Sequence, residues 1–342
     1  MANIREVAKK AGVSPAAVSR ILNNDPALSV TQETRARVRA VAREMGYKIN
    51  SKASKAKFRI GILQWFSAEQ EMADDYYLNI RKGIEDYCDK NSVEIVRNYR
   101  SDMEYKDNPE DLDGMICIGK FSDDEVKKLI KKNSNIVFVD MEVDKADITT
   151  IMPDLYRAAM DSLEYLEELG HKRIAYIGGV EYAFGSKKEP VKDLRRKAYL
   201  RFMRRRGDRW DDILEEGEFT ASSGYELTKR LLGRYYGKKK SKDAPTAIFA
   251  GSDAMAIGAV KAIREAGLAV PDDISVIGIN DSNMSSFVEP PLTTVKVPSY
   301  DMGQYAANIL LMSSNLTVSS PLKAMVPCTL IQRSSCSGIS II

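Results

Sequence analysis

Cationic side chains are concentrated at one end of this chain of 342 residues. Residues 1–57 contain 12 lysines and arginines against four acids, so this segment carries a net charge of +8, while the remainder carries −5. Ammonium and guanidinium groups at this density can neutralise the phosphates of a nucleic acid and release its counterions. The charge distribution therefore predicts that this end of the chain binds a polyanion such as DNA.

The residue types that usually carry catalysis or hold metals are sparse. His171 is the only histidine, and its place between a predicted helix end and a predicted strand favours a structural or capping role. The four cysteines lack the spacing of metal ligands and are expected to be reduced, mostly buried thiols; they are Cys88, Cys117, Cys328 and Cys336. We therefore expect neither an enzyme nor a metal site or cofactor.

The basic segment has the pattern of short helices joined by a tight turn. Asn3 can cap a first helix, with an acid three residues later to close a capping box. Gly12 supplies the turn, and a second helix is predicted with Ser14 as its cap and Pro15 at its first position. A third helix, capped by Thr31, would bury the apolar faces of the first two. Two short helices with a glycine turn between them predict a helix-turn-helix.

The rest of the chain alternates between strand and helix patterns in two successive series. Such alternation predicts mostly parallel, doubly wound sheets covered by helices, and therefore a two-lobe α/β core. No signal peptide and no apolar run of membrane length stand out, so we expect a cytoplasmic protein. The predicted limits are a headpiece at 1–47, a linker at 48–57 and a core at 58–342, with 58–153 and 285–318 in the first lobe and 154–284 and 319–342 in the second.

The helix-turn-helix residues resemble the headpiece of the LacI/GalR family of transcriptional regulators. The matching positions are Val7, Ala8, Ala11, Gly12, Val13, Ser14, Val18, Ser19, Arg20, Ile21 and Asn23. Segments 169–179, 222–232, 251–281 and 330–334 resemble the family's core, which is similar to periplasmic sugar-binding proteins. The resemblance implies an all-α headpiece that binds a palindromic double-stranded operator, a homodimer, and a small-molecule effector in a cleft between the lobes.

In this family the start of the second helix reads base edges, which gives that role to Pro15, Ala16 and Arg20. Of these, Arg20 alone can make a bidentate contact with guanine. The linker departs from the family pattern because Ala56 replaces the leucine that wedges into the minor groove, and a methyl group is a poor wedge. The other positions expected at the DNA are Asn3, Ser14, Ala17, Ser19, Asn23, Thr31, Tyr47, Asn50, Lys52 and Lys55.

The resemblance also implies an effector site at strand and helix ends. Acids and amides there would bind paired hydroxyls, an arginine could fork across two oxygens, and an aromatic ring could offer a flat face to a pyranose. Residues 62–85 resemble regulators of galactose and β-galactoside utilisation in Gram-positive bacteria, which implies a galactose-type sugar or galactoside. The expected site residues are Trp65, Tyr77, Asp140, Arg195, Phe219, Ser252, Asp253, Asn280 and Asp281.

Two other hypotheses are weighed against this one. The core could answer to a protein corepressor, as in the catabolite-control branch of the family, and an exposed lobe surface would then replace the cleft. An enzyme of the sugar-kinase or hydrolase type is disfavoured because the sequence offers no phosphate loop, no metal cluster and a single histidine. A test of sugar binding separates the sugar-effector hypothesis from the corepressor hypothesis.

Overall fold

The computed structural model describes most of the chain, which divides into two compact units, residues 1–58 and residues 59–342. Each unit is described by itself. The residues described are 4–22, 30–31, 34, 37–38, 41–42, 45, 58–67, 71, 75–99, 108–143, 147–185, 190–207, 209–237, 241–315 and 320–339.

The first unit contains the predicted helix-turn-helix. Helix α1 (Ile4–Ala11) and helix α2 (Pro15–Leu22) are joined by Gly12, whose φ of 67° is easily adopted without a Cβ atom. The hydroxyl of Ser14 accepts a hydrogen bond from the N–H of Ala17 at 3.1 Å, which confirms the predicted cap of the second helix.

A small apolar core holds this unit together. Its buried members come from both helices and from the partly described segment that follows them: Val7, Ala8, Ala11, Val18, Ile21, Val38 and Ala42. The hydroxyl of Thr31 accepts a hydrogen bond from the N–H of Thr34 at 3.3 Å, as expected of a helix cap. Burial of one face leaves the opposite face of α2 open to solvent.

The second unit begins with a series of parallel strands and helices that forms most of the first lobe. Its buried, β-branched strands are typical of a sheet covered on both faces. In chain order the elements are β1 (Arg59–Gln64), α3 (Tyr76–Lys90), β2 (Glu94–Tyr99), β3 (Gly114–Ile118), α4 (Asp123–Lys132), β4 (Ile136–Val139) and β5 (Thr149–Pro153).

A second series forms most of the second lobe and repeats the same alternation. In chain order the elements are α5 (Leu155–Glu168), β6 (Ile174–Gly179), α6 (Leu194–Arg206), β7 (Leu214–Gly217), α7 (Ala221–Tyr235), β8 (Ala247–Ala250), α8 (Asp253–Glu265), β9 (Ser275–Asn280) and β10 (Thr293–Lys296). The chain ends with α9 (Ser299–Asn315), β11 (Lys323–Val326) and β12 (Thr329–Ile331).

The strands form two six-stranded sheets, in the orders β11-β5-β4-β3-β1-β2 and β12-β10-β9-β8-β6-β7. The recorded pairings are parallel except that of β10 with β12. The predicted two-lobe, doubly wound architecture is confirmed. The chain crosses between the sheets after β5, after β10 and after β11.

These crossings differ from the predicted lobe limits. Residues 285–318 were expected in the first lobe, yet β10 pairs with β9 in the second sheet. Residues 319–342 were expected in the second lobe, yet β11 pairs with β5 in the first sheet. The limits were misplaced because two short strands near a crossing have similar apolar patterns, and pairing with a distant strand decides where each belongs.

In each lobe, two helices approach so closely that a glycine is needed between them. In the first lobe, a Cβ added at Gly83 of α3 would lie 2.0 Å from the carbonyl oxygen of Tyr300 at the start of α9. In the second lobe, a Cβ at Gly258 of α8 would lie 2.0 Å from the carbonyl oxygen of Ala221 in α7. Glycine is therefore required at both contacts. Within the part of the chain described, no helix is long and apolar enough to cross a membrane.

Candidate functional site

The solvent-facing side of α2 carries the residues predicted to read DNA. Ser14, Pro15, Ala16 and Arg20 are exposed, while the opposite face of the helix is buried in the core. Ala17 and Ser19 are half-buried, and Thr31 is exposed. A helix with an exposed first turn and an exposed arginine can enter the major groove of DNA. The linker 48–57 and the predicted contacts Asn3, Asn23, Tyr47, Asn50, Lys52 and Lys55 lie outside the described residues.

In the first lobe, predicted effector residues meet where the parallel strands end. The hydroxyl of Tyr77 donates a hydrogen bond to Asp140 Oδ2 at 2.7 Å. Lys120 Nζ forms an ion pair with the same oxygen at 2.9 Å and also donates to the backbone carbonyl of Asp140. Asp140 has a φ of 63°, a left-handed conformation that is uncommon outside glycine and clusters at functional sites. Asp140 is therefore held in place from two sides.

Trp65 lies beside this group but does not offer the flat face that was expected. Its side chain is 5% exposed. Its ring packs against Phe66, with centroids 5.0 Å apart, and edge-on against Tyr77 at 5.7 Å. A Cβ at Gly119 would lie 2.5 Å from Trp65 Cβ, so the strand end passes directly beneath it. Trp65 Nε1 is buried and has no hydrogen-bond acceptor among the described residues.

The second lobe contributes a guanidinium group that is fixed on three sides. Arg195, near the start of α6, donates through Nε to Asp193 at 2.9 Å and through a terminal nitrogen to the carbonyl oxygen of Gly251 at 2.7 Å. It stacks over the ring of Phe219 at 4.3 Å from the centroid. Phe219 thus faces Arg195, and this arrangement orients the arginine rather than leaving that face of the ring open.

Asn280 and Asp281, at the end of β9, help to line a cavity of about 320 Å³. Both have positive φ values, 129° and 55°. Arg333 pairs with Asp281 at 2.6 Å and holds its carboxylate. The lining residues come from both lobes: Asp75, Tyr76, Asn79, Asn280, Asp281, Lys296, Val297, Pro298, Ser299, Tyr300 and Asp301.

Ser252 and Asp253 are buried and have internal partners. The hydroxyl of Ser252 caps α8 by accepting from the N–H of Met255 at 3.3 Å. The Asp253 carboxylate accepts from the Ser282 N–H at 2.7 Å, and from the hydroxyls of Ser285 and Thr294 at 2.5 Å each. The expectation that Asp253 binds effector therefore needs correction, because its oxygens tie α8 to the segments around β9 and β10.

Three charged residues near the cleft were not predicted. Lys120 follows β3, Glu181 follows β6, and Asp193 caps α6 by accepting from the N–H of Arg195 at 2.8 Å. The signal that could have found Lys120 and Glu181 is their position immediately beyond a buried parallel strand, where ligands of such sheets bind.

His171 has the structural role predicted for it. It is 3% exposed, and its ring nitrogens lie 2.9 Å from Thr246 Oγ1 and 3.1 Å from Ser275 Oγ. Burial lowers the pKa of its imidazole. His171 thus links the strand ends opposite the cleft and contributes no group to it.

Comparison with known proteins assigns a class to this arrangement. Residues 3–50 match the family described as bacterial regulatory proteins, lacI family, and residues 163–336 match the periplasmic binding protein-like domain. The chain is a DNA-binding transcriptional regulator and not an enzyme. It belongs to the LacI family.

Two curated relatives and one solved structure illustrate the match. The HTH-type transcriptional regulator GalR of Streptococcus thermophilus is 37% identical over 317 residues, covering 91% of this chain and 92% of that one. The HTH-type transcriptional repressor MelR of Bacillus subtilis is 36% identical over 350 residues, covering 98% of each. The lac repressor dimer bound to operator and the anti-inducer ONPF has a TM-score of 0.72 and 26% identity, over 98% of this chain and 99% of that chain.

Proposed function

We propose that this protein is a repressor that binds a palindromic operator as a homodimer, with its DNA affinity set by a galactose-type sugar or galactoside in the cleft. The observation that carries the proposal is a fixed cluster of polar groups in each lobe, at the strand ends of the first lobe and at the start of α6 in the second. One lobe offers Asp140 with Tyr77 and Lys120, and the other offers Arg195 with Asp193. Such preoriented acceptors and donors suit the hydroxyls of a sugar.

The relatives support the same proposal. The cavity of about 320 Å³ is lined by Tyr76, Asn280 and Asp281 among others, and neither Asp140 nor Arg195 lines it, so the proposal does not depend on its volume. The relatives named GalR and MelR align with nearly the whole chain. The galactose-type specificity in this proposal rests on the resemblance of residues 62–85 described above.

Self-association is supported by an exposed apolar segment of the second lobe. Phe287 is 81% exposed and Met284 is 57% exposed, on the short segment between β9 and β10. Large apolar side chains at this exposure commonly mark an interface, and a two-fold dimer would present two headpieces to a palindrome. Sedimentation of Phe287→Glu against wild type tests this: a shift to monomer is expected, and an unchanged dimer contradicts the assignment.

The sugar proposal is tested by calorimetry on the full-length protein. Galactose and lactose are titrated first, with ribose and sucrose for comparison. Asp140→Asn should weaken binding, because the amide cannot match the carboxylate as an acceptor. Absence of heat with every sugar, together with tight binding of a phosphocarrier protein, would favour the corepressor hypothesis instead.

The link to DNA is tested by reciprocity. Operator affinity is measured by fluorescence anisotropy with and without saturating sugar, and sugar affinity with and without operator. The two ratios must be equal if the cleft and the headpiece are coupled. A sugar that binds without changing operator affinity would contradict effector control.

A further inference from the structure

Residues 180–185, which follow β6 in the second lobe and reach the first lobe, are called the crossing segment. The N–H of Ser122 donates to the carbonyl oxygen of Phe184 at 2.8 Å, and the N–H of Phe184 donates to the carbonyl oxygen of Lys120 at 2.8 Å. The rings of Phe121 and Phe184 meet edge to face, with centroids 6.1 Å apart. The other end of the segment is held in the second lobe, where the N–H of Val191 donates to the carbonyl oxygen of Glu181 at 2.8 Å.

Glu181 lies at the base of this crossing segment, among charged groups from both lobes. Lys120 and Asp140 influence it from the first lobe, and Arg195 and Asp193 from the second. The hydroxyl of Tyr77 is also within its electrostatic range. Glu181 is therefore half-buried and within electrostatic range of charged groups on both lobes.

The four charged neighbours are already paired with one another, whereas Glu181 is not. Lys120 pairs with Asp140 at 2.9 Å, and Arg195 with Asp193 at 2.9 Å. Across the described part of the chain, no ion pair or side-chain hydrogen bond involves the Glu181 carboxylate, although this residue is half-buried. A half-buried acceptor without a partner gains by meeting a donor from a ligand.

We propose that Glu181 is a sugar-contacting, specificity-determining residue of the cleft, whose carboxylate accepts hydrogen bonds from ligand hydroxyls. This inference rests on the proposed function. Because the neighbouring charges cancel in pairs, the site favours a neutral polyhydroxyl ligand. A sugar phosphate would be repelled by the Glu181 carboxylate, which among the described residues is the one charge of this group that is not paired with a neighbour.

The protonation state of Glu181 supplies a distinctive readout. Burial raises the pKa of its carboxyl to about 7. The ionised form accepts hydrogen bonds through both oxygens, whereas the protonated form has one fewer acceptor. Lowering the pH from 8 to 6 reduces the ionised fraction from about nine-tenths to about one-tenth, so sugar affinity should fall about tenfold if only the ionised form binds.

The experiment compares wild type, Glu181→Gln and the control Glu226→Gln, which changes an exposed acid on α7. Galactose, lactose and galactose 6-phosphate are titrated by calorimetry at pH 6, 7 and 8, in two buffers of different ionisation enthalpy. Wild type and Glu226→Gln should bind the neutral sugars about tenfold more tightly at pH 8 than at pH 6, with proton release at pH 6. Glu181→Gln should bind them more weakly at pH 8, without this pH dependence.

The outcomes separate the two proposals. No heat from either neutral sugar with wild type contradicts the proposed function itself. Neutral-sugar binding that is equally tight and equally pH-dependent in wild type and Glu181→Gln overturns the role of Glu181. Wild type that binds galactose 6-phosphate more tightly than galactose also overturns it. An unchanged melting temperature for Glu181→Gln excludes misfolding as the cause of a weaker affinity.

Discussion

The role of Asp253 can be decided by removing its acceptor oxygens in steps. Three donors reach its buried carboxylate, namely the N–H of Ser282 and the hydroxyls of Ser285 and Thr294. In Asp253→Ala, the Ser285 hydroxyl can still bond Ser282 Oγ, 3.0 Å away, so two donors lose their acceptor. Each orphaned buried donor costs about 1 to 3 kcal/mol, so we expect a loss of about 2 to 6 kcal/mol.

Asp253→Asn should cost less because the amide retains the shape of the side chain and one acceptor oxygen. Burial raises the pKa of the Asp253 carboxyl, against the opposing effect of its hydrogen bonds, so the buried charge is itself unfavourable. The neutral amide relieves that cost while losing one charge-assisted hydrogen bond. We expect a net loss of about 1 to 2 kcal/mol.

The assay is urea unfolding followed by fluorescence in a Trp65→Phe background, because Trp210 then reports on the second lobe. Protein concentration is held constant, since association stabilises the folded state. Glu226→Ala, an exposed change in the same lobe, should lie within about 0.5 kcal/mol of its parent. An Asp253→Ala variant equally close to its parent would refute the structural role. So would an Asp253→Asn variant of normal stability that has lost sugar binding.

Three further predictions concern the headpiece, the second lobe and the lobe contact. Arg20→Ala should lose about 1 to 3 kcal/mol of operator affinity and relax discrimination at one base pair. Fluorescence anisotropy on single-base operator variants measures this, and unchanged discrimination would contradict the role of Arg20 as a base reader. His171 resists protonation when folded, so stability should fall as pH drops below its ordinary pKa, and the wild-type melting temperature should decline more steeply than that of His171→Gln. Gly185→Val should weaken sugar binding, because an added Cβ would lie 2.1 Å from Ser122 Oγ in the other lobe. The control Gly233→Val should leave sugar affinity unchanged, because a Cβ there meets nothing within 4 Å. Equal sugar affinities for the two variants would contradict a role for the lobe contact.

Local patterns were enough to predict the helix-turn-helix and the alternating core. The glycine at position 12 and the hydroxyl of Ser14 act within a few residues of their own positions, so their roles can be derived without tertiary contacts. Asp140 and Arg195 were also placed correctly at element ends, because those ends follow from the element pattern. Their partners, Lys120 and Asp193, were missed although they lie at similar positions.

Roles that depend on long-range packing could not be predicted. Trp65 was expected to face a sugar, and its burial arises from the approach of Phe66, Tyr77 and the strand end at Gly119. Asp253 has the residue type of a sugar ligand, and only its contacts with later segments of the chain reveal a structural role. Residue type at a strand end thus predicts an available polar group, while distant contacts decide whether the protein or a ligand uses it.

The crossing segment shows how contacts between the two lobes could couple sugar binding to operator binding. Phe184 is fixed to the first lobe by backbone hydrogen bonds, and Glu181 is fixed to the second lobe through the N–H of Val191. A ligand bound to both Glu181 and Asp140 would therefore favour the lobe arrangement in which these carboxylates are close. Its effect on operator binding can be no larger than its difference in affinity between the alternative arrangements. Weakening the lobe contact at Gly185 should consequently change sugar affinity and the sugar-dependent change in operator affinity together, while sugar-free operator affinity reports the intrinsic balance between the arrangements.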